Sequence, residues 1–272
     1  MARRCRMNTY VYDPASQIEY DRLRAMESLI DRYSTQRLAD LGVSSGWQCL
    51  EVGCGAGSIA LWLAEHVGST GRVVAVDLDT RFLQGHGRAN LEVRQHNILT
   101  GALADGSFDL AHARLVLEHL PERHRALERM ISAVRPGGWL MIEDVDMGGI
   151  AAAALAHYVD PPEHAALFER IWRAGEAVFA AVGADASFGA RLVGALKDAG
   201  LENVAGEVHA PIAAEGTEAW ARGNIGQLAG HLVSTGLVTA SDIELFVTLS
   251  ADRSCHYAFP FVVTAWGQRP AT

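Results

Sequence analysis

The amino-acid sequence predicts an α/β protein with a doubly wound, mostly parallel sheet, and three observations carry that prediction. A glycine-rich turn, Gly53-Cys54-Gly55-Ala56-Gly57, separates the strand-like Leu50-Glu51-Val52 from a helical stretch. An apolar run, Val73-Val74-Ala75-Val76, ends in Asp77. Strand-like and helical stretches then alternate up to Asp146, the rhythm of a parallel sheet with helical crossovers. A chain of 272 residues with 49% hydrophobic content can bury one sizeable core, so one domain with insertions is expected.

The elements follow in order. Residues 1–45 form an N-terminal helical arm, since Leu23, Met26, Leu29, Ile30, Tyr33 and Leu38 recur at helical spacing. Residues 46–146 form the alternating core. Within it Arg94-Gln95-His96-Asn97-Ile98 ends the third strand, Ser107 to Ala113 is the fourth, and Leu117-Glu118-His119-Leu120-Pro121 is the short segment after it. Val134-Arg135 ends a helix, Pro136-Gly137-Gly138 turns, and Trp139 to Ile142 is a buried strand, with the carboxylates Glu143, Asp144 and Asp146 following. Residues 147–200 are alanine-rich and helical, broken at Pro161-Pro162 and Gly183, and form a helical cap region. Residues 201–272 hold two strands, Glu202 to Ala213 and His256 to Gln268, with Pro260 interrupting the second. Between them lies an insertion, 214–253, with helical periodicity at Trp220, Ile225, Leu228, Leu232, Ile243, Phe246 and Leu249.

The glycine turn carries the chemistry. Glycine lets a backbone turn sharply and a ligand approach closely, and an aspartate at the tip of the next strand can accept from both hydroxyls of a ribose. Two departures from the dinucleotide pattern select the nucleoside. Ser58 stands where a dinucleotide fold wants glycine, and Glu51 lies two residues before the first glycine. A carboxylate there repels a pyrophosphate and attracts the ammonium and sulfonium of S-adenosylmethionine. A structural turn with a surface aspartate is the bland alternative.

With these residues on the page, the chain resembles the class I S-adenosylmethionine-dependent methyltransferases, above all the small-molecule enzymes of actinobacterial secondary metabolism. The resemblance is specific from about residue 36 to 146. It implies a Rossmann-like sheet whose last two strands make an antiparallel edge hairpin, and S-adenosyl-L-methionine as cofactor. It implies Glu51, Gly53, Gly55 and Gly57 around the methionine and ribose, Asp77 on the ribose, Leu78 against the adenine, and Asn97 with Ile98 at the adenine edge. The family more often has aspartate at the Asn97 position, but an asparagine carbonyl still accepts from an amine. Ala113 and Arg114 would bring a backbone carbonyl near the cofactor's amine, with Arg114 equally readable as a structural ion-pair residue.

Methyl transfer needs positioning and water exclusion, and a base only where the acceptor loses a proton. Glu118 and His119 are the leading candidates, because the segment after the fourth strand borders the methyl group in the resembled fold; His119 merely packing is the competing reading. Glu143 is the third candidate: with Asp144 and Asp146 it could orient a polar acceptor or hold a divalent ion. Metal dependence is not expected, since the metal-dependent relatives carry an acid where this chain has Ala113. His157, Tyr158 and His164 are candidate pocket residues, and Tyr20 and Arg22 are candidates to close over the methionine carboxylate.

The arm, the 147–188 region and the insertion are expected to meet as a cap over the carboxyl ends of the strands, where open α/β sheets bind ligands. Its aromatics point to an apolar small-molecule acceptor, natural-product-like. The alternative function is a cyclase that keeps the cofactor without methylating. The insertion reads equally well as a surface for homo-oligomerisation. A net charge of −9 without a basic run argues against nucleic acid, and no apolar run reaches the length of a membrane span. Arg3, Arg4 and Arg6 are followed by no apolar stretch, so they are not read as a secretory signal. Four cysteines in no metal-like or redox-like pattern read as a reduced, cytoplasmic protein.

Overall fold

A computed structural model describes residues 10–13, 16, 18–212 and 217–271. The basic start at Arg3, Arg4 and Arg6, Cys5, and the first residues of the insertion lie outside the described residues. The elements run α1 (Glu19–Asp40), β1 (Gln48–Val52), α2 (Ser58–Val67), β2 (Arg72–Asp77), β3 (Leu91–Gln95), β4 (Phe108–Arg114), α3 (Arg123–Ala133) and β5 (Val134–Asp146). They continue with α4 (Gly149–Ala156), α5 (Ala165–Ala181), α6 (Leu192–Asp198), β6 (Glu202–His209), α7 (Thr217–Ser234), α8 (Ala240–Ala251) and β7 (Phe261–Gln268).

The strands form one sheet in the order β3-β2-β1-β4-β5-β7-β6. The first five are mutually parallel, and β7 runs antiparallel to both β5 and β6. This is the doubly wound α/β sheet with an antiparallel edge hairpin. The chain steps outward from β1 to β3 and returns to β4, so strand order reverses between β1 and β4, and a crevice opens there at the carboxyl ends.

Both faces of the sheet are covered, which is why its strands read as near-continuous apolar runs. Leu50, Val52, Val74 and Ala111 pack on one face with Leu127 and Met130 of α3 and Leu192 and Leu196 of α6. Cys49, Val73, Ala75 and Leu110 pack on the other with Leu63 and Val67 of α2 and Leu38 of α1. A separate cluster joins the N-terminal half of α1 to α4, α5, α7 and α8. Its centre is aromatic, with Phe168 and Phe246 ring centroids 4.9 Å apart and Trp220 and Phe259 4.6 Å apart.

The structure redraws four expectations. The region 147–200 divides, because α6 packs against the sheet while α4 and α5 join the cap cluster. Pro136, Gly137 and Gly138 lie inside β5: Phe108 pairs with Val134 but Leu110 with Trp139, so the extra residues bulge out of a strand that begins where α3 ends. Glu143, Asp144 and Asp146 therefore belong to that strand, and Arg114 to β4. Finally, the apolar face of α7, Trp220, Ile225, Leu228 and Leu232, is buried against the rest of the cap, so the face proposed for self-association is consumed within the chain. Among the described residues no helix is long and apolar enough to cross a membrane.

Candidate functional site

A cavity of about 1080 Å³ lies over the carboxyl ends of β1, β2 and β4 and beneath the cap. It has a polar end and an aromatic end.

The polar end is built on the glycine turn. Gly53 and Gly57 have φ of +73° and +99°, the left-handed region that penalises side chains. A Cβ on Gly53 would stand 2.2 Å from Val116 Cγ2, and one on Gly57 2.2 Å from Leu83 Cδ1. Asp77 Oδ2 accepts from the Gly55 amide at 2.9 Å, and its Oδ1 from the Asp79 amide at 3.1 Å. Each oxygen thus keeps a lone pair toward the cavity for a ribose hydroxyl. Burial raises the Asp77 pKa against the backbone N–H groups that favour the anion. Asn97 Oδ1 accepts from the Leu99 amide at 2.8 Å, which orients its side-chain amide at the cavity wall. Ile98 is buried, and Leu78 is 60% exposed at the cavity mouth, where a planar base would cover it.

Glu51 is 3% exposed, and its Oε2 pairs with His112 Nδ1 at 2.6 Å. Burial raises its pKa, partly offset by His112. Glu51 lines the cavity, where a cationic ligand would complete the charge balance. This donor and acceptor set, two acidic side chains on either side of a glycine-rich backbone turn, fits an adenosine bearing an amino acid and a sulfonium.

A pyrophosphate does not fit. The anion site of this fold class is the N-terminus of the helix after the glycine turn. Here Glu27, 4% exposed on α1, places Oε1 3.2 Å from the Ser58 amide. The protein fills its own anion site with a carboxylate. Arg114 reinforces the same junction, donating to Asp31 Oδ1 at 2.9 Å, Ser34 Oγ at 2.9 Å and Ser58 Oγ at 3.1 Å. Of its two readings, the guanidinium takes the structural one, while its backbone borders the cavity. The next residue, Leu115, has φ +55°, an uncommon conformation for leucine that lies on the cavity wall.

The aromatic end surrounds His119. Its ring packs edge-on against Tyr10 at 4.9 Å and Tyr12 at 6.3 Å, and lies 5.1 Å from Phe179. Nε2 faces Glu118 Oε1 at 3.4 Å, whereas Nδ1 is buried without a hydrogen-bond partner. Burial and the neighbouring Arg22 push its pKa down to about 3, so the ring is neutral. Burial pushes Glu118 up to about 7; its Oε2 accepts from the Val145 amide at 2.7 Å. Asp144 lies behind, raised by burial and by Glu118, with Oδ1 on the Val116 amide at 3.1 Å and Oδ2 unpartnered.

Arg22, from α1, donates to both oxygens of Glu19 at 2.8 Å and to Tyr10 Oη at 2.7 Å, and its guanidinium lies 3.9 Å over the Tyr12 ring. Gln227 of α7 donates to Glu19 Oε2 at 2.6 Å and accepts from the Asp13 amide at 2.7 Å, tying residues 10–13 across the cavity. Trp220, Asn224 and Phe259 complete the wall.

The cavity brings together Glu51, Gly53, Gly55, Asp77, Leu78, Asn97, Ile98, Arg114, Glu118 and His119. Three candidates stay out of it. Gly57 acts behind the wall by admitting Leu83, Ala113 is fully buried in the sheet, and Glu143 has both carboxylate oxygens engaged, Oε2 with His112 at 3.1 Å and Oε1 with Thr264 Oγ1 at 2.7 Å. His157, Tyr158, His164 and Tyr20 also miss it; Tyr20 instead meets Phe82 at the surface. Tyr10, Tyr12, Glu19, Glu27 and His112 went unrecognised in the sequence. Only His112 carried a usable signal, an imidazole flanked by apolar residues in the middle of a strand. Among the described residues no three His, Cys, Asp or Glu side chains come together as metal ligands would.

A family model described as a methyltransferase domain matches residues 50–142. Methyltransferase str3 of Strobilurus tenacellus is 36% identical over 132 residues, 47% of this chain and 46% of that protein. Methyltransferase GfsG of Streptomyces halstedii is 32% identical over 135 residues, 44% of this chain and 45% of that protein. The chain spans about half the length of the curated relatives it matches. Among solved structures, the N-methyltransferase NodS of Bradyrhizobium japonicum, in complex with S-adenosylhomocysteine, aligns with a TM-score of 0.54 at 16% identity over 97% of this chain and 99% of that one. The [4+2]-cyclase SpnF aligns with a TM-score of 0.52 at 17% identity over 88% and 81%. At these identities the structures show a shared fold. Residues 50–142 thus carry a methyltransferase domain, and around it the chain is similar to S-adenosylmethionine-dependent methyltransferases. Its cofactor is S-adenosylmethionine, which the polar end of the cavity fits.

Proposed function

We propose that this protein transfers the methyl group of S-adenosylmethionine to a small, aromatic or otherwise apolar acceptor through an O–H group, with His119 taking the proton. The observation that carries this reading is His119 Nδ1, buried and unpartnered in an aromatic chamber continuous with the Glu51 and Asp77 end of the same cavity.

When bound, the cofactor supplies an electrophilic methyl group on a sulfonium. Glu51, Asp77 and Asn97 would hold it from the polar end, which aims the reacting group toward the chamber. Tyr10, Tyr12, Phe179, Trp220 and Phe259 would bind the acceptor's flat apolar part and exclude water. His119 Nδ1 accepts a hydrogen bond from the acceptor's hydroxyl. An oxygen that is gaining a methyl group becomes strongly acidic, so a neutral imidazole suffices as base although its pKa is depressed. Glu118, 3.4 Å from Nε2, is placed to share the charge that results.

A cationic amine acceptor fits less well. The cation site of the cage, the face of Tyr12, is already held by Arg22. A nucleic-acid acceptor is disfavoured by the net charge of −9, which repels phosphates.

The test is a labelled-methyl assay over a panel of hydroxyaromatic compounds, their amine counterparts and polyketide-like hydroxyl compounds. Label should pass to hydroxyl oxygen, and His119→Asn should lower turnover on the order of 100-fold or more, the usual contribution of a positioned base. Label on the amines alone would overturn the acceptor assignment. Conversion of a substrate without label transfer, with cofactor bound, would favour the cyclase reading.

A further inference from the structure

We propose that His112 is a positioning residue that sets Glu51 to receive the α-ammonium of the cofactor's methionine. The proposal rests on the assignment of Glu51 to that ammonium.

Four polar side chains form a row across four adjacent strands: Glu51 of β1, His112 of β4, Glu143 of β5 and Thr264 of β7. Glu51 lies opposite His112 in the β1–β4 pairing, and Glu143 opposite Thr264 in the β5–β7 pairing. Every atom-to-atom step is within hydrogen-bond reach: 2.6 Å from Glu51 Oε2 to His112 Nδ1, 3.1 Å from His112 Nε2 to Glu143 Oε2, and 2.7 Å from Glu143 Oε1 to Thr264 Oγ1. All four residues are at most 3% exposed.

Such a row is costly to bury, and apolar side chains of similar volume would stabilise a sheet at least as well. What it provides is orientation. Of the four, only Glu51 reaches the cavity. His112 occupies one of its oxygens from behind, so the carboxylate is fixed with its other oxygen left for the ligand. Glu143, itself held by Thr264, engages the other ring nitrogen, so both nitrogens of the imidazole are used and its orientation is fixed. The two carboxylates outweigh burial and raise the His112 pKa to about 9, so the ring stays charged at neutral pH. A charged His112 favours an ionised Glu51, which burial alone would tend to protonate.

The edge hairpin thereby reaches the cofactor site. Thr264 lies two strands beyond β4, yet through Glu143 it steadies His112, the residue that anchors Glu51.

The probes are S-adenosylhomocysteine, which carries the amino acid, and 5′-methylthioadenosine, which shares the adenosine but lacks it. Calorimetry on the full chain should show His112→Gln weakening S-adenosylhomocysteine on the order of ten-fold, about 1.4 kcal/mol, with 5′-methylthioadenosine bound as in the parent. Equal weakening of both would mean that His112 only supports the sheet, and would overturn the proposal, as would no change in either. Should His112→Gln not fold, Glu143→Gln removes the second anchor of the ring while keeping an amide oxygen for Thr264. It should weaken S-adenosylhomocysteine selectively and less severely; weakening both ligands equally would again refute the proposal. Glu51→Gln serves as the control on the underlying assignment, because a parent affinity for S-adenosylhomocysteine in that variant would remove Glu51 from the ammonium and the His112 role with it.

Discussion

Glu27 Oε1 of the N-terminal arm accepts from the Ser58 amide at 3.2 Å, at the first turn of the helix that follows the glycine turn. One contact joins two functions. It caps α2, which has no side-chain cap of its own at Gly57, and it closes the anion site against a dinucleotide pyrophosphate. Glu27→Ala should therefore destabilise the protein by about 1 kcal/mol, the cost of leaving a partly buried N–H unmet near a positive helix terminus. Urea unfolding checks it, and an unchanged midpoint with an unchanged slope would remove Glu27 from this role.

Asp77 is held by two backbone amides before any ligand arrives, so its lone pairs point to fixed positions. Asp77→Ala should weaken S-adenosylhomocysteine by about 1.5 to 3 kcal/mol, since hydrogen bonds to a charged acceptor are lost. Asp77→Asn, which keeps one carbonyl oxygen, should lose less. Calorimetry showing the parent affinity in the alanine variant would place the ribose elsewhere.

Gly57 is outside the cavity, and its requirement for glycine has two separable parts. The φ of +99° costs any side chain on the order of 1 kcal/mol, and a Cβ would strike Leu83 at 2.2 Å. Gly57→Ala should destabilise by about 2 kcal/mol or more. The double variant with Leu83→Ala relieves the clash but not the backbone, so the two changes should be less than additive by about 0.5 kcal/mol or more. Strict additivity in urea unfolding would show that the side-chain clash is not felt.

Glu118 couples stability to pH. Burial holds its folded pKa up near 7, above the ordinary carboxylate value near 4.5. The folded state therefore keeps a proton that the unfolded chain releases, and stability from this group falls as pH rises between those values. Buried His119 acts in the opposite sense: its pKa, near 3 when folded, lets stability rise with pH up to about 6.5. Glu118→Gln keeps an oxygen for the Val145 amide but has no proton to lose. Relative to the parent it should gain about 2 kcal/mol at pH 8 and little at pH 5, as read by urea unfolding at both values. An equal difference at both pH values would show that Glu118 does not titrate in this window.

The sheet and the polar end were legible because their causes are local. A glycine at positive φ, an apolar run and an aspartate at its end leave marks at fixed spacing, and Glu51, Gly53 and Asp77, with Asn97 from the family resemblance, all line one cavity. The division of 147–200 was not legible, since α5 and α6 are equally amphipathic to a reader and differ only in which cluster receives their apolar face. Glu143 was misplaced for a related reason. Strand register decides whether a carboxylate at the end of β5 points to the cavity or along the sheet, and here it meets His112 and Thr264. Tyr10, Glu19 and Glu27 belong to no motif; only the return of the arm over the glycine turn makes them site residues.

Trp220 separates the acceptor end from the cofactor end more cleanly than removal of the whole insertion would. Deleting 214–253 should leave cofactor binding intact if that segment were only a lid, but α7 and α8 bury Trp220, Leu228, Ile243 and Phe246 in the same cluster as Phe168 and Trp172. Such a deletion would expose a core, and an inactive product would say nothing about the acceptor. Trp220 itself is 8% exposed, packs 4.6 Å from Phe259 and lines the cavity from the cap. Trp220→Phe keeps an aromatic surface in the cluster while shortening the wall. It should raise KM for the acceptor by about 5- to 30-fold, corresponding to roughly 1 to 2 kcal/mol of lost contact, with the S-adenosylhomocysteine affinity unchanged. Steady-state kinetics with the acceptor varied, alongside calorimetry, measures both; a weakened cofactor with an unchanged acceptor KM would move Trp220 to the other end of the cavity.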